Sequence, residues 1–537
     1  AHAVAAARRH GAETMFTLSG GHVFPLYDGA VTADPPMRIV DVRHEQTAVF
    51  AAEATARLTR HPGLAVLTAG PGVTNGISAV TTAHFNGSAV VVLAGRAPDA
   101  RWGSGSLQEI DHPRLLAPVT KRAWTEHSAS GVGAAVDEAF RLASARHRGP
   151  VFLDASLEAL FGNAGGQTGP TPAASIPADG TAAAPGPAHP AGDGGQNGPG
   201  SGQDGPDPGQ VSAIAGLLAR SQRPVLVLGS DVWLDGADGA ALAAAQELQL
   251  PVITNGQARG VLPGGHELLV TRARSVAFGE ADLVIVAGTA LDFRLGYGQF
   301  GGRNGAQQAL VVHVADSPGG IATHCPLAAS AAGNLTAFFT GLATEAGRSD
   351  RGWAKSWLPR LQAARDAAVA ADGSLLASEA DPVHPMRIYG ELAKVLDDDA
   401  VVIGDGGDFV SYAGRYVEPR RPGNWLDPGP YGCLGTGLGY AIAARIARPA
   451  VQVVLMLGDG AAGFSLMDAD TLVRHQLPVV MICGNNGIWG LEKHPMQALY
   501  GYDVAADLQP QCRYDQVVAA LGGAGELVTS PAGIAPA

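Results

Sequence analysis

Short runs of apolar, mostly β-branched residues recur along the chain and alternate with amphipathic helical patterns. Typical runs are 63–70 (GLAVLTAG), 223–230 (RPVLVLGS) and 451–460 (VQVVLMLGDG), each ending in glycine or another turn residue. An amphipathic pattern such as 47–60 (TAVFAAEATARLTR) lies between such runs. Uninterrupted apolar strands that alternate with helices are typical of parallel sheets covered by helices. The pattern therefore predicts an α/β protein.

Two segments of different composition divide these runs into three blocks. Residues 163–209 are almost only Gly, Ala, Pro, Ser, Thr, Asp and Gln. Such a segment buries too little apolar area to offset its ordering entropy, so we predict a flexible linker. Residues 346–385 are charged and rich in Ala, which predicts a partly helical connector. The blocks 1–162, 210–345 and 386–537 are then three predicted parallel-sheet α/β domains.

Composition narrows the class of protein. The 537 residues include 46% hydrophobic and 16% charged residues, which indicates a globular chain, and no apolar run is long enough to span a membrane. The net charge of −13 argues against binding nucleic acid or an anionic membrane and is common among cytoplasmic enzymes. Four scattered cysteines favour neither disulfides nor a zinc site. Because the chain starts without Met and stops abruptly, we expect it to continue at both ends.

Polar residues follow two strongly apolar runs in the last block. Asp459 stands between Gly458 and Gly460, and Asn486 follows the next apolar run, 27 residues later. Functional residues of parallel sheets gather past the carboxyl ends of the strands. Carboxylate and amide oxygens are ligands that Mg²⁺ prefers, and phosphate groups approach glycine backbones readily. The alternative for the Gly-Asp-Gly stretch alone is a tight turn.

The whole element resembles the diphosphate-binding signature of thiamine-diphosphate-dependent enzymes. The resemblance implies that Asp459, Asn486 and the carbonyl of Ile488 bind Mg²⁺ on the diphosphate of the cofactor. The segment 429–449 (GPYGCLGTGLGYAIAARIARP) is similar to the segment of that family that wraps the cofactor. There Leu434 would prop the bent cofactor, and the carbonyl of Gly432 would accept a hydrogen bond from its aminopyrimidine ring. As alternatives, Leu434 is a core residue and Gly432 a turn residue.

Three residues of the first block are implied in catalysis by the same resemblance. The segment VDVRHEQTAVF is similar to the RHE element of the family, which makes Glu45 the carboxyl group that activates the aminopyrimidine ring. In FTLSGGHVFPLYDG, His22 occupies the position of an active-site histidine of benzaldehyde lyase, where it would relay protons. The segment WGSGSLQEID resembles an element whose glutamine faces the substrate, here Gln108. The alternatives are a helix-terminal Glu45, which the helix dipole favours, and a solvent-facing His22. For His112 and Glu53 we expect structural roles.

The closest resemblance within the superfamily is to the acetolactate synthase-like branch. It implies decarboxylation of a 2-oxo acid such as pyruvate and ligation to a second carbonyl. Features similar to 2-hydroxyacyl-CoA lyase, oxalyl-CoA decarboxylase and benzaldehyde lyase leave open a lyase or carboligase without decarboxylation. A third alternative is a degenerate regulatory subunit, against which the joint presence of Glu45, Asp459 and Asn486 argues.

The resemblance also bears on a second ligand and on assembly. Relatives bind FAD or an adenine nucleotide in the central domain, and Arg272 and Arg274 could contact its phosphates. Thr289 replaces an arginine found there in the CoA enzymes, so the occupant of this domain stays open. In the family, Glu45 of one chain and the Asp459 site of another share one cofactor. This implies a homodimer or homotetramer with active sites at the subunit interface.

Overall fold

The computed structural model describes residues 1–163, 205–305, 307–347 and 352–537. It contains three separate sheets of six, five and four strands, and every strand pairing is parallel. The predicted fold class, three parallel-sheet α/β domains, is confirmed. The linker predicted over 163–209 falls almost entirely outside the described residues. The exact domain boundaries remain a prediction.

The first sheet lies in the block 1–162 and has the strand order β2-β1-β3-β4-β6-β5. Its strands are β1 Thr14–Thr17, β2 Arg38–Asp41, β3 Gly63–Leu67, β4 Val90–Arg96, β5 Ala123–Glu126 and β6 Val151–Ser156. Its helices are His2–Arg9, Phe24–Val31, Glu45–Thr59, Pro71–Thr74, Ile77–Phe85, His112–Leu116, Val132–Ser144 and Leu157–Phe161. Strands β3, β4 and β6 are buried along their whole length, as expected for a sheet covered on both faces.

The second sheet has the order β11-β10-β9-β7-β8. Its strands are β7 Pro224–Leu228, β8 Val252–Thr254, β9 Leu283–Ala287, β10 Leu310–Ala315 and β11 Ala329–Ala332. The accompanying helices are Pro208–Arg220, Ser230–Leu234, Asp238–Leu248, Arg274–Glu280 and Leu335–Ala346. The helix predicted in the connector is present as Gly352–Leu376 and packs on this domain through the buried Trp353 and Trp357.

The third sheet has the order β13-β12-β14-β15. Its strands are β12 Val401–Asp405, β13 Trp425–Leu426, β14 Val453–Gly458 and β15 Val480–Gly484. The helices around it are Pro385–Val395, Asp408–Tyr416, Thr436–Ala447, Asp459–Ser465, Ala469–Arg474, Gly490–Tyr500 and Tyr514–Ala520. Strand β14 pairs with β12 on one side and β15 on the other, so the two runs that precede Asp459 and Asn486 are neighbours.

The first and third domains share one hydrophobic core. The helix Glu45–Thr59 crosses the helix Thr436–Ala447 at close range. A Cβ on Gly439 would lie 2.7 Å from the Cβ of Phe50 and 2.9 Å from the carbonyl oxygen of Thr47. The position therefore needs glycine, because any side chain would push the two helices apart.

A buried polar cluster lies in the same contact between helices. Glu53 is fully buried and accepts hydrogen bonds from Asn86, Ser88 and the hydroxyl of Tyr440 at 2.7–3.2 Å. Arg57 lies 3.7 Å from Glu53 and donates to the hydroxyl of Tyr440 at 3.1 Å. Burial raises the pKa of Glu53, and the charge of Arg57 opposes this rise. These contacts support the structural role expected for Glu53.

We expect the replacement Glu53→Ala to lower the free energy of unfolding by about 3–5 kcal/mol, because the buried Arg57 would lose the nearer of its two acidic partners, the other being Asp427 at 3.9 Å. Denaturant titration followed by tryptophan fluorescence measures the change. Glu13→Ala is a matched control, because Glu13 is exposed. A loss no larger than that of the control would contradict the structural role.

Among the described residues, no helix combines the length and the apolar character needed to cross a bilayer.

Candidate functional site

Asp459 lies at the carboxyl end of β14, as the first residue of the helix Asp459–Ser465. Its side chain is buried, and both carboxylate oxygens accept backbone hydrogen bonds. Oδ1 accepts from the N–H of Gly460 at 3.0 Å, and Oδ2 accepts from the N–H of Gly487 at 2.7 Å. Burial raises the pKa of Asp459, and the backbone donors oppose this rise. The bond to Gly487 ties Asp459 to the segment that carries Asn486.

Asn486 and Ile488 lie in that segment, directly after β15. The side-chain oxygen of Asn486 accepts a hydrogen bond from the N–H of Ile488 at 3.1 Å. Ile488 pairs with Asp507 in an antiparallel bridge, which fixes the loop from its other side. The atoms available here to bind a metal ion are thus carboxylate oxygens, an amide oxygen and backbone carbonyl oxygens. This set of oxygen atoms suits Mg²⁺.

The two glycines beside Asp459 lie in different surroundings. A Cβ on Gly458 would have no atom within 4 Å, so there is open room above this backbone. A Cβ on Gly460 would lie 2.4 Å from the ring of Trp489. Gly458 therefore leaves space for a bound group, whereas Gly460 allows Trp489 to pack on the helix. The sequence did not point to Trp489.

Gly432 and Leu434 lie in the loop before the helix Thr436–Ala447. Gly432 has a φ of 69°, and a Cβ there would have no atom within 4 Å, while Leu434 is half-buried. Asp405, at the end of β12, holds this loop. Its Oδ1 accepts from the N–H of Gly435 at 3.1 Å, and its Oδ2 accepts from the N–H of Gly437 at 2.8 Å.

The sequence did not identify Asp405 as a site residue. It is fully buried, and burial raises its pKa to about 6 against the effect of the backbone donors. A signal existed, because Gly404-Asp405-Gly406 repeats the Gly-Asp-Gly pattern around Asp459 at the end of the neighbouring strand β12. Asp459 is hydrogen-bonded to the loop that carries Asn486, and Asp405 is hydrogen-bonded to the loop before the helix Thr436–Ala447.

Glu45 is the first residue of the helix Glu45–Thr59 and follows β2. Its side chain is largely buried, and its Oε2 accepts a hydrogen bond from the amide nitrogen of Asn75 at 3.0 Å. A Cβ on Gly72 would lie 3.9 Å from Oε1. The loop after β3, residues 68–75, therefore lies directly against the carboxyl group.

His22 and Gln108 contact the same loop. The Nδ1 of His22 lies 3.1 Å from the hydroxyl of Thr68, and His22 is only 9% exposed. Burial lowers the pKa of His22, and the neighbouring His112 lowers it further, which favours the neutral ring. A Cβ on Gly70 would lie 2.7 Å from the Cβ of Gln108. The buried position of His22 disagrees with the solvent-facing alternative.

His112 holds the backbone of loop 68–75 in place. It is fully buried, its Nε2 accepts the N–H of Gly70 at 2.9 Å, and its Nδ1 lies 2.8 Å from the carboxylate of Asp154. Because Nε2 is an acceptor, the proton of the neutral ring lies on Nδ1 and is donated to Asp154. His112 thus has the structural contacts that the sequence reasoning expected of it.

Loop 68–75 therefore brings Glu45, His22 and Gln108 together in the first domain. In the third domain, the hydrogen bond between Asp459 and Gly487 holds Asp459 and Gly458 beside the loop that carries Asn486 and Ile488, and the 432–434 loop precedes the neighbouring helix Thr436–Ala447. Within one chain the two domains meet nearby. The N–H of Arg43 donates to Asp468 at 2.8 Å, and the side chain of Gln46 donates to the carbonyl of Phe464 at 3.4 Å.

Comparison with known families gives three matches along the chain. The family described as "Thiamine pyrophosphate enzyme, N-terminal TPP binding domain" matches residues 1–115. The corresponding central domain matches residues 211–342, and the C-terminal TPP binding domain matches residues 405–537. The residues predicted for catalysis and for binding thiamine diphosphate and Mg²⁺ lie inside the first and third matches, and Arg272 and Arg274 lie inside the central one.

Individual relatives are similar over nearly the whole chain. A "Probable acetolactate synthase" of Mycobacterium bovis and the "Acetolactate synthase large subunit IlvG" of Mycobacterium tuberculosis are each 48% identical over 528 residues, covering 98% of this chain and 90% of the relative. The "2-hydroxyacyl-CoA lyase 2" of Homo sapiens is 32% identical and covers 97% of this chain and 84% of the relative.

Proposed function

The chain belongs to the thiamine pyrophosphate enzyme family and is an acetolactate synthase-like enzyme. We propose that its donor substrate is a 2-oxo acid such as pyruvate. The donor would lose CO₂, and the remaining two-carbon unit would be joined to a second carbonyl compound. The observation that carries this proposal is the 48% identity to the mycobacterial acetolactate synthases over 98% of the chain.

The third domain would hold Mg²⁺ and the diphosphate. Asp459, Asn486 and the carbonyl of Ile488 supply oxygen ligands, and the open room above Gly458 accommodates a phosphate group. Thiamine diphosphate, when bound, supplies a nucleophilic carbon that the protein's own side chains lack. Gly432 and Leu434 would position its rings, and Asp405 keeps their loop in shape.

The first domain would supply the proton chemistry. Glu45 is held by Asn75 in a largely buried position, where its carboxyl group would exchange a proton with the aminopyrimidine ring. Gln108, packed on Gly70, would orient the substrate carbonyl. His22 is buried and its neutral form is favoured, so it would take up and return a proton as the new C–C bond forms.

We propose that the residues around Glu45 and the residues around Asp459 meet between subunits, as the resemblance implies. The carboxylate of Glu45 contacts Asn75 and faces Gly72 of its own domain, and the Mg²⁺ ligands contact their own domain. A homodimer, or a tetramer built from it, would place Glu45 of one chain above the Asp459 site of its partner.

The replacement His22→Ala is expected to lower kcat for carboligation by about 100-fold, because a positioned proton donor and acceptor would be lost. The affinity for thiamine diphosphate should stay within about twofold, because the third domain holds the diphosphate. Steady-state kinetics and a cofactor titration measure the two effects. His61→Ala is the control, since His61 is exposed. Unchanged turnover would remove His22 from the mechanism.

The test of the proposed reaction uses the purified chain with thiamine diphosphate, Mg²⁺ and pyruvate. Release of CO₂ with formation of acetolactate supports the proposal. The alternative is a lyase or carboligase that acts without decarboxylation, and the buried His22 together with the likeness to 2-hydroxyacyl-CoA lyase 2 favours it. Cleavage of a 2-hydroxyacyl-CoA to an aldehyde, with no CO₂ from pyruvate, would establish the alternative instead.

A further inference from the structure

The central sheet has the strand order of a doubly wound fold. Strands β7 and β9 are adjacent, and the chain proceeds outward from them in opposite directions. Ligands of such sheets bind at this switch point, in the crevice past the carboxyl ends of the two strands. A flavin or adenine nucleotide in the central domain would therefore place its diphosphate against the loops after Leu228 and Ala287.

The loops after Leu228 and Ala287 are hydrogen-bonded to each other. The N–H of Gly229 donates to the carbonyl of Ala287 at 2.9 Å, and the N–H of Asp231 donates to the carbonyl of Gly288 at 3.0 Å. A Cβ on Gly229 would lie only 2.2 Å from the Cβ of Thr289. Backbone N–H groups that a phosphate would need are thus already used, and the space between the loops is filled.

Acidic side chains line the same crevice. Asp231 follows β7 at the start of its helix, Asp235 ends that helix, and Asp316 follows β10. The side chains of Asp235 and Asp316 are 0% and 1% exposed. A carboxylate only accepts hydrogen bonds, so these side chains offer a phosphate no donor.

Cations from the first domain neutralise these carboxylates. The Nδ1 of His147 lies 3.0 Å from Asp316, and Arg146 and Arg148 lie 2.8 and 3.3 Å from Asp235. We call the six residues the interdomain cluster: Arg146, His147, Arg148, Asp231, Asp235 and Asp316. Its arginines are committed to protein carboxylates rather than free to bind phosphate.

The two arginines that sequence reasoning assigned to a nucleotide are committed as well. Arg272 donates to the buried carboxylate of Asp372. Arg274 donates to the carbonyl of Arg294 and lies over the ring of Phe278, with its guanidinium carbon 4.7 Å from the centroid. Neither side chain offers a free guanidinium to the crevice.

We infer that the central crevice is closed to nucleotides, and that the interdomain cluster occupies it as an ionic contact between the first and central domains. FAD or ADP does not fit the residues of this chain. The inference is independent of the reaction proposed above, because none of these residues belongs to the groups around Glu45 or Asp459.

The ionic contact should depend on pH. Burial lowers the pKa of His147, but the charge of Asp231 and the hydrogen bond to Asp316 outweigh burial and raise the pKa to about 9. The other titratable groups facing it are Lys121 and His84, and Arg148 lies 3.8 Å from the same Asp316 carboxylate. The raised pKa of His147 contributes stability that is lost as the pH rises through about 9. Burial also raises the pKa of its partner Asp231, to about 7, so Asp231 is fully charged only above that pH.

The test uses the full chain as purified. Flavin absorbance and nucleotide released on denaturation are measured first, and then the melting temperature with added FAD or ADP. We expect no retained nucleotide and no shift in Tm. Retained FAD or ADP, or a rise in Tm that saturates with either, would overturn the inference.

A variant tests the cluster itself. His147→Gln should lower Tm at pH 7 and flatten its fall between pH 7 and 10, whereas His61→Gln, at an exposed histidine of the same domain, should do neither. A His147→Gln protein with the wild-type Tm profile would contradict the ionic contact. Zn²⁺ is the remaining probe, because His147, Asp231 and Asp316 have ligand atoms within 4.8 Å of one another. An EDTA-reversible rise in the wild-type Tm would mark a cation site at these three residues and contradict the ionic contact, even if the variant does not fold.

Discussion

Glu45→Gln is expected to lower kcat by about 100- to 10,000-fold, the range seen when a general acid–base group is removed. Glutamine has the size of glutamate and can still accept the hydrogen bond from Asn75. It cannot exchange a proton with the aminopyrimidine ring. The loss should therefore fall on turnover and leave Tm unchanged. Steady-state kinetics with saturating thiamine diphosphate and Mg²⁺ measure it.

Glu13→Gln serves as the control for this prediction, because it makes the same chemical change on an exposed side chain of the same domain. If Glu45→Gln kept turnover within about twofold of the unmodified protein, Glu45 would be only a helix-terminal residue. The proposed acid–base role would then be wrong.

The second large effect is expected for Asp459→Asn. The substitution removes the charge of the proposed Mg²⁺ ligand, while the side chain keeps nearly the same volume in a buried site. We expect thiamine diphosphate to bind at least about 100-fold more weakly, equivalent to about 2.8 kcal/mol. The protein should stay folded, since burial already raises the pKa of Asp459 and so disfavours its charge when no metal is bound.

Calorimetric titration with thiamine diphosphate at several Mg²⁺ concentrations measures this change. The wild-type affinity should rise with Mg²⁺, and the affinity of the variant should depend on it far less. Asp398→Asn is the control, because Asp398 is exposed in the same domain. An affinity for the variant within about threefold of the wild-type value would place the metal elsewhere.

The sequence predicted the fold wherever strands are continuous apolar runs. Strands β3, β4, β7, β9, β10, β12 and β14 are buried on both faces, so each stands out from its surroundings. The strands β1 (TMFT) and β5 (AWTE) have four residues each with polar members, and β5 lies half-buried at the sheet edge. Such strands form because a neighbour supplies hydrogen bonds, which local pattern does not reveal.

Some residues of the candidate site could likewise be predicted from the sequence, and others could not. Asp459, Asn486 and Glu45 could be proposed from sequence because they lie within a few residues of strand ends and in characteristic local patterns. Asn75, Thr68 and His112 act through partners 30–46 residues away in the chain. The interdomain cluster joins residues 87–169 positions apart. Contacts of that kind depend on how sheets and domains pack, and a single sequence carries no direct record of them.

The central claim is that Glu45 and Asp459 act on one cofactor although they lie in separate domains, and that two chains contribute them. Co-expression of Glu45→Gln and Asp459→Asn chains with different tags, followed by isolation of the mixed dimer, tests it most directly. Each variant alone should be nearly inactive. The mixed dimer should recover about half of the wild-type turnover, because one of its sites combines an intact Glu45 with an intact Asp459. A mixed dimer as inactive as its parents would contradict the claim and place both residues of each site in the same chain.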